Sequence, residues 1–285
     1  MPPLTSYTTP LTDQRFVAFD TETTGLWAAS NRVIELAGVA FSPGSSDTDT
    51  FQELVNPDRT IPPEAIAVHG ITDDELVGAD SIAPVLNRFE TFCGSDAILI
   101  AHNAPFDVSF VSWELFRTGA TFGDQPVLDS KEIFSRVFPD LPSYSLLNIA
   151  RHFGVANDQL HRALADSSLL HRLFLLALEK LTDLATATEL LQAFSVQTIT
   201  PADTTPTELP ERFTELQKAI IEGAMVDMEY AREGYPPRSR VVRPLALHYL
   251  GSHLYLNAYC TYARDERTFR ADRIGHYLVL RPTSG

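Results

Sequence analysis

Residues 16–25 read FVAFDTETTG. An apolar run rich in strand formers ends on two acids, Asp20 and Glu22, and Thr-Thr-Gly then breaks the pattern. Residues i and i+2 of a strand point to one side, so two carboxylates are expected side by side at the strand end. Like charges so placed repel, and ordinary packing gives no reason to keep them. A divalent cation would supply one; two solvated acids at a strand end are the alternative. The later segments decide.

Strand-like runs recur at 33–41 and 96–101, with a further strand expected near 50–55. Helical periodicity follows at 81–93, 104–118, 129–137, 144–153 and 162–180. Ser143 is a plausible N-cap and Gly154 a plausible stop for one of these helices. Strands followed by alternating helix and strand predict an α/β domain with a mixed sheet. The Thr- and Pro-rich stretch 198–210, TITPADTTPTELP, has no periodicity and reads as linker. We therefore expect a first domain over 1–182, a linker over 183–210 and a second domain over 211–285. That second part reads as a helix over 211–223, a strand over 225–231, short strands joined by a Gly251-Ser252 turn, and a last strand at 276–281.

Charge divides at the same place. The net charge of −15 looks wrong for a protein that touches nucleic acid. Yet residues 1–210 hold 11 Lys+Arg against 28 Asp+Glu, and residues 211–285 hold 11 against 9. An acidic first part and an Arg-rich end imply two modules with different tasks. Cys93 and Cys260 are far apart with no CxxC, which argues against a disulfide framework or zinc site. The N-terminus lacks a basic n-region and an apolar h-region, and no segment is long and apolar enough to span a bilayer, so no membrane partner and a cytoplasmic location are expected.

Two more segments bear on the acids. In AHNAPFDVSFV (101–111) an apolar strand ends at a turn, and Asp107 sits early in the next helix. In HRALADSSLLHRLF (161–174) His161 and Asp166 are five residues apart. On one helix they would diverge by roughly 140°, so they converge only if His161 lies on the loop before it. The polar approach ANDQL permits that. Four carboxylates from three places suit Mg²⁺ or Mn²⁺ rather than Zn²⁺, and two such ions would offset their repulsion. An imidazole beside them could take a proton from water.

DTETTG, HNxxFD and HxAxxD, in this order, resemble the motifs of the DEDDh exonuclease family, which includes the proofreading epsilon subunit of bacterial DNA polymerase III and ribonuclease T. The similarity covers roughly 14–180 and includes IPPEAIAVHGIT (61–72) and LDSKEIFSRVFPDLPSYSLLNIARHFG. It implies a ribonuclease-H-like fold and hydrolysis from the 3′ end to nucleoside monophosphates. Asp20, Glu22, Asp107 and Asp166 would be metal ligands and His161 the general base. Backbone N–H groups of Thr23 and Thr24 and the side chain of Leu26 could hold the terminal nucleotide. His69, Asn103 and Phe106 are substrate candidates by resemblance, with core packing for Phe106 and helix capping for Asn103 as alternatives. Asp129 reads as a helix cap, and His102, His152 and His171 have no assigned role.

The end of the chain resembles a WYL domain, a small β-barrel module of the SH3/Sm-like kind, in RSRVVRPLAL (238–247), HLYLNAYC (253–260) and RTFRADRI (267–274). The family's Trp-Tyr-Leu reads Leu254-Tyr255-Leu256 here. The resemblance implies binding of single-stranded nucleic acid or a nucleotide-like ligand through Tyr255, Arg264, Arg267, Arg270 and Arg273. A solvated surface whose arginines pair with Asp265, Glu266 and Asp272 is the alternative. Single-stranded DNA is the favoured substrate, with RNA trimming or a ligand-gated nuclease as alternatives; no polymerase-docking motif is legible.

Overall fold

The computed structural model describes residues 7–155, 161–204, 208–232, 234–250 and 253–281. The ANDQL approach and the Gly251-Ser252 turn lie outside these. The chain forms two compact units, residues 1–202 and 203–285.

In the first unit the strands are β1 (Phe16–Thr23), β2 (Val33–Phe41), β3 (Thr48–Leu54), β4 (Ile98–Ala101), β5 (Pro126–Asp129) and β6 (Val196–Thr198). The helices are α1 (Pro63–His69), α2 (Ile82–Cys93), α3 (Pro105–Thr118), α4 (Ser130–Val137), α5 (Leu146–His152), α6 (Ala163–Leu178) and α7 (Ala187–Ala193). The sheet order is β3-β2-β1-β4-β5-β6. The β1–β4 and β4–β5 pairs are parallel and the others antiparallel, giving the expected mixed sheet.

Side-chain alternation along β1 sends neighbours to opposite layers. Phe16 and Ala18 join a core with Leu169, Leu170, Leu173 and Phe174 of α6. Phe19, on the other face, meets Phe89 of α2 with ring centroids 5.8 Å apart. Every residue of β2 is buried, as a strand covered on both faces requires.

Two local expectations change here. Ser145, not Ser143, caps α5, its hydroxyl accepting from the Asn148 N–H at 3.4 Å. Gly154 does close that helix region, with φ +66°. The expected linker 183–210 is partly structured: α7 starts in a Thr186/Glu189 capping box and buries Leu190 and Leu191, and β6 pairs with β5. These apolar side chains have a core to enter, and β5 would otherwise be an open edge, so the first unit runs on to Ala202.

The second unit holds α8 (Thr214–Glu222), preceded by a 3-10 turn, and β7 (Met225–Tyr230), β8 (Arg238–Leu250), β9 (His253–Cys260), β10 (Asp265–Arg270) and β11 (Ile274–Leu280). Where short strands were expected, β8 is one 13-residue strand with an irregularity between Pro244 and Ala246, where proline removes a ladder donor. The sheet order is β10-β9-β8-β7-β11. Thus β10 and β11, joined by only Ala271–Arg273, stand at opposite edges. A flat sheet of this width would separate them by about 19 Å. Four Cα–Cα steps reach at most about 14 Å. The sheet must curl toward a barrel, and the Arg270 N–H meets the Tyr230 hydroxyl at 3.3 Å across the gap.

Candidate active site

Asp20 and Glu22 lie on the β1 face that carries Phe16 and Ala18, toward α6. Asp166 sits in the first turn of α6. Carboxylate oxygens of Asp20, Glu22 and Asp166 all lie within 4.8 Å of one another. Burial pushes Asp20 well above the ordinary carboxylate range, with the charges of Asp107, Glu22, Asp166 and Glu35 adding to it. Glu22 is pushed up to about 8 by burial and then by Asp166, Glu35 and Asp107, against a lowering by Arg162. Asp166 is raised by burial. This is surplus negative charge built from hard oxygen donors, which fits divalent cations of the Mg²⁺ or Mn²⁺ type.

Asp107 arrives differently. Its Oδ1 accepts from the Thr21 N–H at 3.0 Å and the Thr21 hydroxyl at 2.8 Å. Thr21 lies between the two acids in sequence, so its side chain points to the opposite face of β1. Asp107 is therefore buried beside Asp20 but outside the group of three. Burial raises it to about 7, although the Thr21 bonds pull it down.

His161 stands on the loop before α6, as convergence with Asp166 requires. Its backbone is left-handed, φ +67°, and its N–H donates to Asp166 Oδ2 at 3.1 Å. The side chain is exposed.

The substrate candidates separate by geometry. Thr23 and Thr24 are buried; the Thr23 hydroxyl donates to Gly25 O, and the Thr24 N–H donates to Arg32 O. The Thr24 N–H is thus committed within the loop and is withdrawn from the set expected to meet a nucleotide. Leu26 is 76% exposed, and so is its neighbour Trp27 at 60%. His69 is buried, and its Nδ1 accepts from the Ile71 N–H at 3.0 Å, which puts the ring proton on Nε2. Among the described residues that Nε2 has no partner. Burial lowers the His69 pKa, keeping the ring neutral. Asn103 is exposed at φ +65° and does not cap α3, whose N-cap is Ala104. Phe106 packs on Phe110, centroids 4.8 Å apart. Asp129 caps α4 through the Lys131 N–H at 2.9 Å, as expected, and also accepts from the Asn103 N–H.

Sequence reasoning missed Glu35 and Arg162. Glu35 is fully buried and paired with Arg162 at 2.8 Å. The signal was present: one acid in the otherwise apolar VIELAGVAF.

In the second unit a cavity of about 670 Å³ is lined by Arg232, Arg238, Arg240, Arg267 and Arg273 with Tyr230, Tyr235 and Tyr262 among others. Of the five residues expected there, Arg267 and Arg273 line it; Tyr255, Arg264 and Arg270 do not. Tyr255 stacks near His248, Arg264 sits exposed at φ +52°, and Arg270 pairs with Asp272 at 3.0 Å. Arg267 also approaches Asp265 at 3.5 Å, so the surface pairing considered as the alternative is partly realised.

The family model described as Exonuclease (RNase_T) matches residues 17–174, which holds all five motif residues. The chain belongs to this exonuclease family. The WYL domain model matches residues 211–279. The exonuclease domain is 38% identical over 158 residues to a DNA polymerase III PolC-type protein of Halalkalibacterium halodurans, covering 55% of this chain and 11% of that one. It is 36% identical over 157 residues to the PolC-type protein of Listeria monocytogenes, with the same coverage of 55% and 11%. The chain thus spans about a tenth of the length of these relatives. Among solved structures, the nuclease domain of 3′hExo, a DEDDh family member bound to rAMP, shares the fold at TM-score 0.53 and 18% identity, over 61% of this chain and 96% of that one. A full-length 3′-exonuclease does so at TM-score 0.55 and 16% identity, over 71% of each. The exonuclease domain is of the DEDDh type, a family that uses divalent metal ions, and its ribonuclease-H-like fold agrees with the sequence expectation. No helix among the described residues is long and apolar enough to cross a membrane.

Proposed function

We propose that the protein is a 3′→5′ exonuclease that hydrolyses single-stranded DNA to nucleoside monophosphates with two Mg²⁺ or Mn²⁺ ions. The observation that carries this reading is the oxygen cluster of Asp20, Glu22 and Asp166 beside buried Asp107, with His161 anchored to Asp166 through its backbone. Bound metal ions would supply an activated water and charge stabilisation at the leaving oxygen. Asp20, Glu22, Asp166 and Asp107 would hold them. His161, exposed on its loop, takes the proton from the attacking water. The neutral His69 offers its unpartnered Nε2–H to a phosphate oxygen, a bond its burial makes costly to leave unmade. Leu26 and Trp27 present apolar surface to the terminal bases, while Asn103 and Phe106 flank the same motif. DNA is favoured over RNA because the two relatives named above are DNA polymerase III PolC-type proteins. Two buried, unpaired cysteines agree with a reducing cytoplasm.

The cavity with five arginines favours a second role, binding of single-stranded nucleic acid or a nucleotide-like ligand by the WYL domain. Guanidinium groups and tyrosine rings suit phosphates and base faces. Its volume falls within the range of small-ligand sites.

The deciding experiment is a panel of labelled single- and double-stranded DNA and RNA, each with a free or blocked 3′ end, with Mg²⁺ or Mn²⁺. Mononucleotide release from free 3′ ends of single-stranded DNA is expected. Release from blocked ends, or none with either metal, would refute the reading.

A further inference from the structure

Glu35 is a charged residue inside the sheet that the carboxylate cluster does not use. In the β1–β2 ladder it stands directly opposite Glu22. Its oxygens are fully committed: Arg162 donates from Nε at 3.2 Å to Oε2 and from Nη2 at 2.8 Å to Oε1. The Ala163 N–H donates to Oε2 at 2.9 Å, and Gln52 Nε2 to Oε1 at 2.8 Å. Arg162 is the N-cap of α6 and Ala163 its first residue. His161 comes immediately before, in a left-handed conformation, with its N–H on Asp166. So two consecutive residues are bolted to β2, and the next bond closes the loop onto the acid in the first turn.

Stability alone gives little reason for this. Glu35 is fully buried while the Arg162 side chain is 38% exposed, and desolvating the carboxylate offsets much of what the pair gains, so an apolar side chain of similar size could match it. What the pair does that an apolar pair could not is fix direction: a planar fork on a carboxylate sets both angle and distance. The carboxylate itself belongs to the strand hydrogen-bonded to β1, the strand that carries Asp20 and Glu22. We propose that the Glu35–Arg162 pair is a positioning device that sets His161, through the start of α6, against the carboxylates of β1. This rests on the reading of His161 as general base.

Arg162→Lys keeps the charge and loses the fork. Its kcat should fall about 10- to 100-fold, the scale of a small misplacement of a reacting group. KM for an oligonucleotide and Mn²⁺ affinity by calorimetry should stay within about threefold. In a His161→Ala background the same change should cost nothing further, whereas a merely structural role would lower both backgrounds alike. Independently of activity, amide exchange at His161 and Ala163 in the metal-free protein should quicken at least about tenfold. Glu35→Leu with Arg162→Met should fold and show the same loss of kcat; if it does not fold, Arg162→Lys alone decides. Wild-type kcat together with unchanged exchange in Arg162→Lys would overturn the proposal, as would an equal loss in the His161→Ala background. Should the wild type release no mononucleotide, the exonuclease reading falls, and the exchange measurement still decides whether the pair holds the loop.

Discussion

Glu22 and Glu35 face each other across the β1–β2 ladder, two carboxylates in direct register. Like charges so paired destabilise a sheet. The molecule resolves them in different ways. Glu35 is held ionised, below its ordinary range, by hydrogen bonds from Arg162, Ala163 and Gln52 that outweigh its burial. Among the described residues no such donors reach Glu22, and burial with the neighbouring carboxylates pushes it up to about 8. One partner is neutralised by the protein, and the other is left for a cation.

Asp20→Asn or Asp166→Asn should abolish metal-dependent mononucleotide release. Neither should lower the melting temperature of the metal-free protein, because each removes a carboxylate that burial already disfavours. Calorimetry with Mn²⁺ and a melt in chelator check both parts. Retained release in a clean preparation of either variant would sink the metal assignment.

His161→Ala should lower kcat by about 10²–10⁴ as a lost general base. Mn²⁺ affinity should hold within about threefold, because the bond to Asp166 uses the backbone N–H, which alanine keeps. Single-turnover kinetics and calorimetry separate the two effects.

The cluster also sets a pH dependence. Glu22 titrates near 8 in the folded metal-free protein, against about 4.3 when unfolded. Its protonated form therefore stabilises the fold, fully below about pH 4, and that contribution is lost as the pH rises through 8. Asp107, raised to about 7, acts in the same direction. Melting temperature in chelator should fall between pH 5 and 9, and Mn²⁺ should restore it most at the alkaline end. A metal-free melt that rises toward pH 9 would contradict this.

For the WYL domain, Arg240→Ala with Arg267→Ala should weaken single-strand binding and flatten its salt dependence, by about 0.7 in the log–log slope for each phosphate no longer neutralised. Unchanged strand binding, with loss of a response to added nucleotides, would instead mark the cavity as a sensor. Filter binding across a salt series distinguishes the outcomes.

In the core, Phe174 is fully buried on α6 between Phe16 and Phe41. Phe174→Ala should cost about 3–5 kcal/mol in urea unfolding and loosen the helix that carries Asp166.

The sequence by itself determined the chemistry and the strand that bears it. Alternation along FVAFDTETTG is a local property, so the side on which Asp20 and Glu22 emerge follows from the strand alone. Helix geometry likewise forced His161 off the helix of Asp166, and the structure puts it there. The tertiary structure decided what depends on distant partners. Asp107 meets Thr21 across 86 residues and so stands apart from the other three acids. Glu35 finds Arg162 across 127 residues. The arginines of the WYL cavity are gathered by a sheet that curls until its edges approach. Periodicity reports which way a side chain leaves its own element; only packing between elements fixes what it meets there.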